Sequence, residues 1–401
     1  MNDNNKNILI CSQSMYLGGV ERSLLGLLDS IDYDRYDVDL FLMRHSGELM
    51  PYLNHKTNIL PEIPQYASLA VPMKSLIKSG QFGVLCGRLR GKLAAKRFDK
   101  QHPSDKPSVT ALTYSHKYTL STMPQISDKT YDLAISFLTP HYFVMERVKA
   151  KKYAAWIHTD YTALAFDQAE EISMWSRYDA ICGVSKQASK SFIIAFPELA
   201  GKVQTIENIL PKELICKQAE NSQDDMPLEE SIVLLSVGRF CDAKNFDNIP
   251  DICRRLLEDG LDVKWYLIGY GGDEPLIRQK IIESGMQERV IILGKKDNPY
   301  PYMRACDLYV QPSRYEGKAV TVREAQLLCK PVVITKYATS GSQLEDGVDG
   351  VIVPMDNAGC ADGIAALLRN PVRMRQLSEN CKKRDYTNSA EVEKIYALME
   401  D

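Results

Sequence analysis

Arg314-Tyr-Glu-Gly-Lys-Ala-Val-Thr-Val-Arg-Glu-Ala-Gln-Leu-Leu-Cys-Lys-Pro331 is the stretch on which the reading of this chain turns. Two carboxylates, Glu316 and Glu324, stand eight positions apart across a loop-to-helix junction. The apolar run Asp307-Leu-Tyr-Val-Gln311 precedes the junction and Pro331-Val-Val-Ile-Thr335 follows it, both reading as strands. A glycine-containing loop that opens a helix beyond a strand turns free backbone N–H groups and the helix dipole toward a ligand. It is a natural seat for a phosphorylated one. Thr321-Val-Arg-Glu324 also fits a helix capping box, so Glu324 has a purely structural alternative.

Working outward, short apolar runs alternate with helical or loop sequence on both sides of this stretch. The second half carries Ile232–Gly238, Val263–Gly269, Val290–Gly294, Asp307–Gln311, Pro331–Thr335 and Gly350–Pro354. The first half carries Asn7–Ser12, Asp37–Met43, Tyr131–Phe137, Tyr153–Ile157 and Tyr178–Val184, with Gly18-Gly19 opening an amphipathic helix after the first run. Such alternation indicates parallel sheets covered by helices, an α/β chain of two doubly wound domains. The acidic, polar run Gln218–Glu230 reads as a linker or exposed loop between them. The expected division is 1–210, 211–380, and a C-terminal helix over 381–401 that packs back toward the N-terminal domain. In open α/β sheets ligands sit beyond the carboxyl ends of the strands, here in a cleft between the facing domains.

Bulk properties exclude several classes. The chain has 401 residues, 45% apolar and 25% charged, as expected of a globular protein large enough for two cores. A net charge of −3 speaks against a nucleic-acid partner. Ten cysteines without a Cys-x-x-Cys pair read as reduced thiols of a cytosolic protein, and six histidines show no metal-ligand spacing. The polar start reads as no signal peptide, and no apolar run reaches the roughly 18 residues a membrane span needs. Residues 61–110 fit the alternating scheme least. Within 74–100 stand Lys74, Lys78, Arg88, Arg90, Lys92, Lys96, Arg97 and Lys100 against Asp99 alone, interleaved with apolar residues. That pattern suits either an anionic membrane surface or a solvated helix face.

Behind the first strand of the second domain comes Gly238-Arg239-Phe-Cys-Asp-Ala-Lys244. Two cations at a strand's carboxyl end suit a diphosphate, whose negative charge grows as it departs. Two surface cations flanking a turn are the alternative. Gly269-Tyr-Gly-Gly-Asp-Glu274 lacks the last glycine of a dinucleotide fingerprint, so its glycines are expected to permit a tight turn.

Taken in order, Gly18-Gly19-Val-Glu21, His158, Gly238-Arg239 with Lys244, Leu267-Ile-Gly-Tyr-Gly-Gly272, Pro312-Ser-Arg-Tyr-Glu316-Gly317 and Glu324-Ala325 resemble the family 4 retaining glycosyltransferases. The resemblance covers nearly the whole chain and is densest over 231–354. It implies the GT-B fold, with an acceptor-binding N-terminal and a nucleotide-sugar-binding C-terminal domain. Arg239 and Lys244 would grip the diphosphate, Glu324 the ribose hydroxyls, and Glu316 would stand beside the donor sugar. Gly238 belongs to the same turn as Arg239. Backbone N–H groups of Gly317, Lys318, Ala319 and Val320 would touch sugar or phosphate, and Gly294-Lys295 would lie against the base. Gly18 and Gly19 would approach the phosphates, and His158 the donor sugar or its acceptor-side neighbour. Lys318 departs from the family, which usually has an apolar residue there.

The implied reaction moves a hexose or N-acetylhexosamine, most commonly from a UDP sugar, with retention of configuration. The acceptor would be a glycan or a polyprenyl- or lipid-linked saccharide in bacterial surface polysaccharide synthesis. The acceptor hydroxyl would enter on the face the nucleotide leaves, so the protein positions substrates and neutralises charge. No cofactor and no metal are expected, because the basic pair takes an ion's role. The expected location is cytoplasmic, at the inner membrane face if the basic stretch binds lipid. The rival readings are a sugar-nucleotide epimerase or hydrolase and a non-catalytic sugar-nucleotide-binding module.

Overall fold

The computed structural model describes residues 5–16, 18–138, 141–223, 225–226, 231–316 and 319–400. The chain divides into two compact units, Met1–Leu210 with Asn388–Asp401, and Pro211–Thr387.

The first unit holds a seven-stranded parallel sheet of β1 (Lys6–Ser12), β2 (Tyr36–Leu42), β3 (Asn58–Ile59), β4 (Thr130–Ser136), β5 (Lys149–Ile157), β6 (Ala180–Gly183) and β7 (Val203–Thr205). Its order is β3-β2-β1-β4-β5-β6-β7, so the winding reverses between β1 and β4. The second unit holds β8 (Ile232–Val237), β9 (Val263–Ile268), β10 (Val290–Gly294), β11 (Leu308–Gln311), β12 (Val332–Thr335) and β13 (Val351–Val353). Here the order is β10-β9-β8-β11-β12-β13, reversing between β8 and β11.

Helices cover both faces of such sheets, so the strands carry apolar residues throughout rather than alternating. Leu234, Leu235, Val310, Val333 and Ile334 are fully buried. The helix Ile249–Glu258 shows the matching helical period, burying Ile249, Ile252, Cys253 and Leu256. A buried polar thread crosses this core: Trp265 Nε1 donates to Ser236 Oγ at 3.0 Å, and that hydroxyl donates to the Val310 carbonyl at 2.6 Å.

The stretch that fits the alternating scheme least is a helical insertion between β3 and β4. It contains the helices Met73–Lys78, Phe82–Gln101 and Thr110–Thr119. The acidic run after Gln218 is no free linker where it is described. Asn298 Nδ2 donates to the Gln218 carbonyl at 2.9 Å. Asp225 accepts from Lys296 and, at 2.6 Å, from the Tyr302 hydroxyl, while Met226 is fully buried. Burial alone would raise the Asp225 pKa, yet these donors hold it below the usual range.

The chain returns to the first unit at Asn388, later than residue 381, because the helix Pro371–Lys382 still belongs to the second unit. Asn388 Nδ2 donates to Glu207 at 3.1 Å, and the Glu207 N–H donates to Glu391 at 2.8 Å. Tyr396 then stacks on Tyr36 with ring centroids 4.1 Å apart and accepts the Asp32 N–H at 2.8 Å. Replacing Tyr396 by Ala should cost about 3 kcal/mol, the scale for deleting a buried aromatic. At 2–4 °C per kcal/mol for a domain of this size, calorimetry should show the first unit melting about 6–12 °C lower.

Candidate functional site

The reversal point of the second sheet gathers the predicted residues. Arg239 and Lys244 follow β8, Glu316 follows the adjacent β11, and Glu324 lies on the next helix, Val320–Leu327. Lys244 Nζ meets Glu316 Oε1 at 2.6 Å, with only 19% and 10% of the two side chains exposed. Ser313 Oγ donates to the same oxygen at 2.6 Å. Arg314 clamps the two loops together with a fork onto Asp247, at 3.0 and 2.9 Å, and its backbone N–H donates to Ala243 O at 2.9 Å. A bidentate guanidinium–carboxylate pair fixes orientation as well as distance.

Glu324 is buried and accepts the Tyr300 hydroxyl at 2.8 Å. The capping-box alternative is not realised. The helix is capped at Ala319 without a side-chain bond, and Thr321 lies inside the helix with its hydroxyl 3.4 Å from Gln311 Oε1. The Tyr309 hydroxyl sits far above the usual phenol range, by burial first, with the charges of Glu324 and then Glu316 adding to it. One buried phenol therefore senses both carboxylates. Arg239 is exposed and makes no hydrogen bond or ion pair with a described residue.

The glycine-rich turn supports this site from behind. A Cβ on Gly269 would lie 1.9 Å from the Gly238 carbonyl oxygen, and one on Gly271 would lie 2.1 Å from that of Phe240. Only glycine lets the turn touch the β8 loop so closely. The Phe240 N–H donates to Tyr270 O at 2.9 Å, and the Gly269 N–H to Gly294 O at 2.9 Å. Gly294-Lys295 therefore connects to the site through this turn, while Lys295 itself faces Asp297 at 3.4 Å. The Ala319 N–H already donates to Gln343 Oε1 at 2.7 Å, so it is not an open donor as expected; Val320 is 41% exposed. Gly317 and Lys318 lie outside the described residues. Ser313 and Arg314 fall inside the stretch that carries the resemblance but had no role assigned from sequence, and Tyr300 and Gln343 carried no sequence signal of their own.

Gly18, Gly19 and His158 belong to the first unit. Gly18 precedes the helix Gly19–Ser30, whose first turn bears Glu21. Its carboxylate folds over Gly18, where a Cβ would lie 2.2 Å from Glu21 Oε2. Burial raises the Glu21 pKa. His158 directly follows β5, and its Nε2–H donates to the Phe137 carbonyl at 2.7 Å, leaving Nδ1 as an acceptor. The ring borders a cavity of about 190 Å³ walled largely by apolar side chains, with His116 and His141. The spacing of these histidines in sequence gave no hint of their meeting. Burial lowers His158 to about 4 and His116 to about 4, the latter helped by Arg88. His141 falls to about 3 by burial first and then by the other two rings. All three are neutral at pH 7.

Among the described residues no group of three or more His, Cys, Asp and Glu is placed to hold a metal ion, and all ten cysteines are unpaired. No helix among them is long and apolar enough to cross a membrane.

Known proteins resemble this chain in sequence and in fold. The family model for glycosyl transferases group 1 matches residues 217–384. The alpha-D-kanosaminyltransferase of Streptomyces kanamyceticus is 28% identical over 156 residues, 38% of this chain and 40% of that protein. The N-acetylgalactosamine-N,N'-diacetylbacillosaminyl-diphospho-undecaprenol 4-alpha-N-acetylgalactosaminyltransferase of Campylobacter jejuni is 27% identical over 213 residues, 52% and 56% of the two chains. The chain thus spans about half the length of the curated relatives it matches. Anabaena HepE, solved with UDP and glucose, superposes with a TM-score of 0.61 at 17% identity, covering 99% of this chain and 100% of that one. TarM gives 0.64 at 14% identity, covering 99% of each. These likenesses establish the two-domain GT-B fold.

The histidine cavity predicts a pH dependence. Between about pH 6.5, the ordinary imidazole value, and pH 4 the unfolded chain binds more protons than the folded one, so stability falls as pH drops. On the order of 2 kcal/mol is lost per neutral imidazole from pH 7 to 5. The urea midpoint of the first unit should fall markedly over that range; a flat midpoint would contradict these burials. The β8/β11 site and the residues that match the glycosyl transferases group 1 model, 217–384, both lie in the second unit, and it is over this unit that the chain is similar to that family.

Proposed function

We propose that this protein is a retaining, metal-independent hexosyltransferase. It moves a hexose or N-acetylhexosamine from a UDP sugar to a glycan or a polyprenyl- or lipid-linked saccharide in bacterial surface polysaccharide synthesis. The observation that carries the reading is the Lys244–Glu316 pair at the reversal point of the second sheet, with Arg239, exposed and without a partner among the described residues, on the same loop. A cation held in place by a carboxylate is ready to change partners when a diphosphate arrives. Arg239 and Lys244 then neutralise the charge that grows on the leaving nucleotide.

Glu316, released from Lys244, stands beside the donor sugar. Glu324, oriented by Tyr300, binds the ribose hydroxyls. His158 offers a neutral acceptor nitrogen to a sugar hydroxyl. The relatives support the substrate classes: HepE was crystallised with UDP and glucose, and the Campylobacter protein is named for a diphospho-undecaprenol substrate. Other relatives are named for lipopolysaccharide core and amylovoran biosynthesis. The acceptor we propose is met at the inner face of the membrane.

Removing one oriented charge stabiliser typically reduces turnover by about 10²-fold or more. Arg239→Ala and Lys244→Ala should each do so in a transfer assay with UDP sugar and acceptor. Glu316→Gln should lower kcat more than it raises the donor KM, and Glu324→Ala should chiefly raise that KM. Rapid turnover of donor without acceptor, or activity abolished by a chelator, would contradict the proposal.

A further inference from the structure

The helix Phe82–Gln101 has two opposite faces that serve different purposes. Its inner face is mostly small: Gly87, Gly91 and Ala95 are buried, together with Val84 near the N-terminal end. A Cβ on Gly87 would lie 2.6 Å from the Thr119 methyl group, and one on Gly91 would lie 2.7 Å from Ser115 Cα. The helix is therefore pressed backbone to backbone against Thr110–Thr119, in a fixed orientation. Its outer face carries an apolar stripe at helical spacing, Phe82, Cys86, Leu89 and Leu93, all exposed. Phe82 is 59%, Leu89 44% and Leu93 68% exposed, far more than large apolar side chains usually show.

On the helical wheel Lys92 and Lys96 fall on one side of this stripe and Arg90 and Arg97 on the other. Lys92, Lys96, Arg97 and Lys100 have no acidic partner among the described residues. The neighbouring carboxylate, Asp99, is turned to Ser108 and Thr110, at 3.0 and 2.9 Å. Arg88 is likewise turned inward, onto the carbonyls of Ser68 and Val71. Arg90 lies over the Tyr118 ring, its guanidinium carbon 5.4 Å from the centroid, so what remains outward is an apolar ridge flanked by Lys92 and Lys96 on one side and Arg97 on the other.

From this we infer that the outer face of Phe82–Gln101 docks on an anionic lipid bilayer, its apolar ridge in the interface and its cations on the headgroups. A bilayer supplies an apolar layer bordered by negative charge, the complement of this face. Long lysine and arginine stems let the charges reach headgroups while the ridge sinks. A second copy fits poorly, since a two-fold contact would set each row of cations against its own kind. The inference stands apart from the proposed chemistry, because binding is read without substrate.

Flotation with vesicles of phosphatidylglycerol and phosphatidylcholine tests it. The protein should float with these, less so as salt rises, and should not float with phosphatidylcholine alone. Leu89→Asp or Leu93→Asp should weaken binding at least tenfold, the value of burying one leucine. Each cation removed among Lys92, Lys96 and Arg97 should weaken it about fivefold. Ile194→Asp, on an exposed apolar residue elsewhere in the same unit, should change nothing. All these positions are exposed, so circular-dichroism melts should match the parent. The inference fails if the parent does not float, or if Leu93→Asp floats equally well. It fails too if the parent is a dimer that Leu93→Asp dissociates without any vesicle binding, or if only an acidic protein binds this face.

Discussion

The contact between Lys244 and Glu316 is the constraint on which the second unit's site depends. The two residues are 72 positions apart, yet the strands that deliver them are neighbours because the winding of the sheet reverses between them. Neither charge could sit so little exposed without the other, since an unpaired buried charge costs several kcal/mol. The pair therefore ties the two loops, and the Arg314–Asp247 fork and the Ser313 hydroxyl hold it in register. The same pairing keeps an ammonium little exposed and oriented, which is what the proposed diphosphate partner requires.

Much of the fold is legible in the sequence, and the reason is physical. Strands buried on both faces must be apolar throughout, so Ile232–Val237 and Val332–Thr335 announce themselves. β3 and β7, with two and three residues, are too short to show any period. The helices between β3 and β4 were hidden because Gly87, Gly91 and Ala95 make the packing face of Phe82–Gln101. Leu89 and Leu93 point outward, the reverse of the usual pattern, while Leu85 packs on the core. Asp225 looked like linker because its composition is polar, whereas its carboxylate is held by Lys296 and Tyr302.

The site divides along similar lines. Lys244 and Glu316, each behind a strand end, are brought together by the sheet order, which the alternation of strands makes legible; Arg239 stays exposed beside them. Their supports are not legible in that way. Tyr300 reaches Glu324 from a separate helix, and Gln343 takes the Ala319 N–H from another, so both depend on packing that no local pattern encodes. His116 and His141 meet His158 in the same way, from different elements of the first unit. The capping box at Thr321–Glu324 shows the converse, a local pattern that the fold leaves unused.

If Lys244 exchanges Glu316 for a diphosphate, the exchange is measurable without any reaction. Calorimetric titration of UDP into the parent, Lys244→Ala and Glu316→Gln reads it directly. The account predicts at least tenfold weaker binding for Lys244→Ala. It predicts binding no weaker than the parent for Glu316→Gln, whose neutral amide no longer competes for the ammonium. Equal affinity in all three proteins, or no binding by the parent, would contradict it.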